Sequence, residues 1–165
     1  MFELKKLHAE AIPSAVEKAN RYRLLNVPQL AESICLDILE VDPNNQDVLI
    51  MLILSLADQF SEKSFHLSQT RMVDLVDRLS DPYEKVYYSG LVCEKRGMAT
   101  LDHQAPGYVV YEWLGKAMYW YDKADKLSPE ENDDAILRWN TCARVINFND
   151  QIRARDQDED FHGLE

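Results

Sequence analysis

Glycine is scarce in this chain, five residues in 165, and no segment alternates apolar and polar residues over the length of a strand. Both absences count against a sheet, whose turns need glycine and whose half-buried strands need alternation. Long apolar runs are missing too. None approaches the roughly 18 residues of a membrane span, and Met1-Phe2-Glu3-Leu4-Lys5-Lys6-Leu7-His8 carries no apolar core behind its lysines. The sequence therefore predicts a cytoplasmic chain without a membrane segment.

Basic charge is in deficit. Eighteen Lys and Arg against 29 Asp and Glu leave a net charge of −11, whereas a phosphate-backbone interface needs a basic face. Nucleic acid and anionic membrane surfaces are poor partners on that ground. The three cysteines, Cys35, Cys93 and Cys142, are isolated in apolar helical contexts, with no CxxC among them. Buried free thiols are the expected state, rather than disulfides or metal ligands.

Catalytic patterns are lacking as well. His8, His66, His103 and His162 lie far apart, none four residues from another or from a cysteine, so no metal site is expected. There is no glycine-rich phosphate loop, no nucleophile elbow and no carboxylate pair in an apolar setting. The alternating acids Asp156, Asp158 and Asp160 resemble the start of a calcium loop, but Phe161 stands where that loop needs glycine and the chain ends before its twelfth position. The expectation is a non-catalytic protein without cofactor.

What the chain does have is helical spacing. Pro13 suits the first turn of a helix carrying Val16, Ala19, Tyr22 and Leu25, which Asn26 ends. Pro28 opens a second, with Leu30, Ala31, Ile34, Cys35, Ile38 and Leu39 on its apolar face, stopped by Asp42-Pro43-Asn44-Asn45. A third, Gln46 to about Phe60, is apolar almost all round and should be central. A fourth reads through Leu67, Met72, Val73, Leu75, Val76 and Leu79 and stops at Pro82. The fifth runs from Tyr83 to about Arg96, with Gly90 marking a close helix crossing and Gly97 a C-terminal cap. After a connection over Met98 to Gly107 come a sixth helix, Tyr108 to Leu127, and a seventh from Glu130 through Ile146.

The sixth helix organises this reading. Ala117, Tyr121 and Ala124 line one face as small, large and small side chains before the stop at Pro129. Ala31, Cys35, Ile38 and Pro43 repeat those spacings, so one helix-and-stop unit occurs twice. An antiparallel helical bundle is the competing arrangement.

These residues resemble the tetratricopeptide repeat, a helix-turn-helix of about 34 residues. Ala19 and Tyr22 match the small and aromatic positions of its first helix, Ala31, Cys35 and Ile38 its second, and Pro43-Asn44-Asn45 its terminator. Gly90, Cys93 and Gly97, then Ala117, Tyr121, Ala124 and Pro129, match a later unit, with about fifteen extra residues between its helices. The middle unit, Gln46 to Pro82, keeps the helix lengths and the stop without the small residues.

The resemblance implies an all-α fold of about seven helices, antiparallel helix-turn-helix repeats stacked as a short right-handed superhelix. It implies a lead-in over 1–11, a repeat domain over 12–149 with insertions near 61–66 and 98–112, and an acidic flexible tail over 150–165. It further implies a scaffold or adaptor that holds a peptide or protein segment in a concave groove. The first helices of each unit would line that groove with Asn20, Arg23, Leu54, Asp58, Tyr87, Leu91, Glu94, Asn140 and Arg144. Asp58 and Glu94 stand among the cations, so a basic or polar peptide suits this set better than a C-terminal carboxylate. The alternative is a self-associating module, a homodimer formed through Tyr108, Tyr111 and Trp113 at the start of the sixth helix.

Overall fold

Prolines and short polar side chains punctuate the helices. The computed structural model describes residues 1–60 and 65–155, with side chains from 69 onward in the second stretch. Pro13 sits at the second residue of α1 (Ile12–Leu24), and Pro28 and Pro82 open α2 (Pro28–Val41) and α5 (Pro82–Asp102), where a missing N–H costs nothing. Asn45 caps α3 (Gln46–Asp58) by accepting from the Val48 N–H at 3.2 Å, and Asp81 caps α5 by accepting from Glu84 at 2.9 Å. Each such cap contributes about 1 kcal/mol. The remaining helices are α4 (Phe65–Asp77), α6 (Gly107–Asp125) and α7 (Asp134–Asn147), with a 3₁₀ turn at Ala9–Ala11.

Among the described residues there are seven α-helices and no strand. The fold is all-α, as expected. The extensive contacts join helices consecutive in the chain, α5 with α6 most of all, and smaller ones join α1 to α3 and α3 to α5. Of the odd-numbered helices, α1, α3 and α5 thus touch one another in turn.

The apolar stripes are buried where their spacing places them. Ala31, Cys35 and Ile38 are fully covered, as are Val110, Leu114, Ala117, Tyr121 and Ala124. Helix α3 buries Val48, Leu49, Leu52, Ile53, Leu56 and Ala57 and forms the middle of a core shared with α1, α2, α4 and α5. A second core lies among α5, α6 and α7, closed at one end by Ile152.

Three boundaries differ from expectation. Gly97 is not a cap: α5 continues to Asp102, and Gly97 is buried under α6, where a Cβ would lie 2.8 Å from Leu114 Cδ2. The helix ends instead at Gln104, in the left-handed conformation at φ 55°, with Ala105 N–H bonded to Thr100 O and Gln104 N–H to Leu101 O. Asn26, at φ 59°, closes α1 in the same way. The expected connection over 98–107 therefore shrinks to 103–106, and the extra residues lengthen α5 and α6 into one antiparallel pair.

Helix α7 starts at Asp134 and not Glu130, because 129–132 close a turn in which Asn132 N–H reaches Pro129 O and the Asn132 side chain accepts from Asp134 N–H. Residues 61–64 of the expected insertion near 61–66, and positions 156–165 of the tail, with the calcium-loop acids, fall outside the described residues.

Candidate functional site

Two groups of polar side chains bridge the odd-numbered helices. On the first pair, the Arg23 Nε of α1 donates to Asp58 Oδ2 of α3 at 2.8 Å, both side chains being about a quarter exposed, at 26% and 29%. Asn20, one turn before Arg23, is open to solvent, and Leu54, one turn before Asp58, is half-buried. Tyr88 of α5 packs at the edge of the same core. Burial, then the neighbouring Tyr87, push its phenol up to about 12, while Arg23 pulls the other way.

The second group ties α5, α6 and α7 together. Tyr121 of α6 donates its hydroxyl to Glu94 Oε2 of α5 at 2.6 Å, and Arg138 of α7 donates from Nη1 to Glu94 Oε1 at 2.9 Å. Tyr87 stands beside Arg138 and, after Glu94, favours its charged form. Both oxygens of a carboxylate only 5% exposed are thereby satisfied.

Burial, and then the Glu94 charge, hold the Tyr121 phenol far above its ordinary range. Burial is the largest single influence on Arg138 and works against its cation, but Glu94, Tyr87 and Tyr121 together outweigh it and the guanidinium is more firmly charged than usual. Tyr87 completes the group through its ring, with Tyr83, Tyr88 and Tyr121 centroids at 5.6, 5.1 and 5.7 Å.

This placement divides the expected groove residues. Arg23 and Asp58 meet, with Asn20 and Leu54 a turn away on the same two helices. Leu91, 1% exposed, lies in the core shared with α1 to α4, and Glu94 is buried against α6 and α7, so neither can touch a ligand. Asn140 and Arg144 do not join the group either. Arg138 is the α7 residue turned toward α5, and at 100° per residue the other two lie about 200° and 240° round the helix from it.

Of the aromatic trio, Trp113 is stacked under the Arg96 guanidinium at 3.8 Å with Lys116 at 4.4 Å, and Tyr108 lies near Arg155 at 5.4 Å. Tyr111 is exposed.

The Tyr121–Glu94–Arg138 link went unread in the sequence. Its signal was there, because Glu94 lies one turn after Gly90 and one before Gly97, on the stripe that meets α6. All three cysteines are free, and burial pushes Cys35 and Cys142 up to about 12 and raises Cys93. Such thiols are poor nucleophiles and ligands. Among the described residues no three His, Cys, Asp or Glu side chains gather as metal ligands, and no helix is long and apolar enough to cross a membrane.

No family model, no curated protein and no solved structure matches the chain.

Proposed function

We propose that this chain is a cytoplasmic, non-catalytic interaction scaffold, which binds a peptide or protein segment along the face formed by its odd-numbered helices. The observation that carries this reading is that α1 touches α3 and α3 touches α5, the first pair bridged by Arg23–Asp58, and that Glu94–Arg138 links α5 to α7. Side chains fixed in this way are positioned before a partner arrives, so binding costs little ordering of the receptor. The spacing that resembles the tetratricopeptide repeat supports the same face. The residues available to a partner are Asn20, Arg23, Leu54, Asp58, Tyr87 and Tyr88, a mixed polar and aromatic set.

The test is quantitative capture by the tagged chain, comparing Asn20→Arg and Arg23→Glu with Glu40→Arg, an exposed position between α2 and α4. A partner retained by the parent and by Glu40→Arg, and lost from the other two, supports the reading. Equal capture by all four proteins overturns it.

A further inference from the structure

A second surface lies on the far side of the last two helices. Between α6 and α7 runs an open groove of about 500 Å³, walled by Met118 and Tyr119 on one side and by Trp139 and Ile146 on the other. The small residues Gly115 of α6 and Ala143 of α7 also line it. A Cβ built on Gly115 meets nothing within 4 Å, so the glycine is not required by packing inside the chain. Tyr119, 55% exposed, and Tyr111, 37% exposed, leave large aromatic surface beside it.

The groove continues past Asp122 to Asp125, Ala135 and Ile136. From Tyr111 to Asp125 it follows fifteen residues of α6, a rise of about 21 Å at 1.5 Å per step, which is the length of a four-turn helix. Two antiparallel helices with small residues between them present the trough into which a third helix packs its side-chain ridge.

Charge selects the occupant. The charged residues that line the groove are Asp122 and Asp125, both acidic and both exposed. The chain's own residues 156–165 carry Asp156, Asp158, Glu159, Asp160 and Glu165, of the same sign, and a second copy brings a net charge of −11. Neither complements the rim. We infer that the α6–α7 groove receives a basic amphipathic helix from another protein, its apolar residues on Gly115 and Ala143 and its lysines or arginines against Asp122 and Asp125. This surface is separate from the odd-helix face, and either can fail without the other.

The probe is a fluorescein-labelled peptide of about sixteen residues, with leucine at i, i+3, i+4, i+7 and i+11 and lysine between. Its counterpart replaces lysine by glutamate. Anisotropy with the full chain at about 150 mM salt should show saturable micromolar binding of the lysine peptide and at least about tenfold weaker binding of the glutamate peptide. Gly115→Leu, which fills the trough while circular dichroism stays helical, should weaken the lysine peptide at least about tenfold. Asp122→Lys with Asp125→Lys should reverse the charge preference, and Arg23→Glu should change nothing.

Failure of the lysine peptide to bind saturably overturns the inference. Undiminished binding by Gly115→Leu does so too, since it would mark diffuse attraction to an acidic chain. Sedimentation showing a dimer that Gly115→Leu dissociates would place a second copy in the groove and likewise overturn it.

Discussion

The ring of Tyr121 fills the space left by the missing side chain of Gly90. A Cβ at that glycine would stand 2.7 Å from Tyr121 Cε1 and 2.9 Å from Cδ1, closer than carbon atoms pack. The ring cannot easily yield, because its hydroxyl is held by Glu94, one turn along α5 from Gly90 itself. Two helices therefore approach closely at the point where a buried polar link also joins them.

Gly90→Ala should for that reason destabilise the protein by about 2 kcal/mol, although alanine is the better helix former by about 1 kcal/mol. Gly115→Ala, in open space on α6, should instead stabilise by roughly 0.5–1 kcal/mol. Urea unfolding of both variants checks the opposite signs. A Gly90→Ala protein as stable as the parent would mean that the α5–α6 crossing is looser than the geometry states.

Tyr121→Phe removes one donor from a buried carboxylate and should cost about 1–3 kcal/mol. Glu94→Ala leaves Arg138 and Tyr121 without their shared acceptor and should cost more, about 3 kcal/mol. A double-mutant cycle of Tyr121→Phe with Arg138→Met, read by urea unfolding, should show coupling well beyond additivity. Simple additivity would show that the two donors do not act through one carboxylate.

Stability should fall at alkaline pH. Folding raises the Cys35 and Cys142 thiols from 9.0 to about 12, so the native state favours the protonated form. Their contribution is complete below pH 9 and is lost progressively as pH rises toward 12. Urea midpoints at pH 8, 9.5 and 10.5 should decline, less steeply when both cysteines are alanine. At pH 8 the folded thiols should react with Ellman's reagent far more slowly than the unfolded ones.

The two bridging links should separate in their consequences. Arg23–Asp58 is partly exposed, and its loss in Arg23→Ala should change stability by no more than about 0.5 kcal/mol. Partner binding should nonetheless weaken. A large stability loss in Arg23→Ala would make the pair a folding element instead of a binding one.

Much of the fold was legible because it is written in local spacing. Ala117, Tyr121 and Ala124 declare a buried stripe without reference to anything else, and Pro28 and Pro82 open their helices whatever surrounds them. Gly97 misled because glycine serves both as a helix cap and as a point of close approach, and only Leu114 from another helix distinguishes the two. The partners of Glu94 lie 27 and 44 residues away, beyond any local pattern. Asn140 and Arg144, named by the resemblance, lie on other sides of α7 from Arg138, whose contact with Glu94 no spacing within α7 reveals. The α6–α7 trough depends on the bare outer sides of two helices, which spacing within either one does not reveal.

Site-directed photocrosslinking locates the face on which a partner sits. A benzophenone side chain at Asn20, exposed on α1 beside Arg23, is compared with one at Glu40, exposed on α2. The account predicts a specific adduct with a partner from position 20, lost when Arg23 is changed to Glu, and none from position 40. An adduct from position 40 alone, or none from position 20 while the partner still co-purifies, would contradict it.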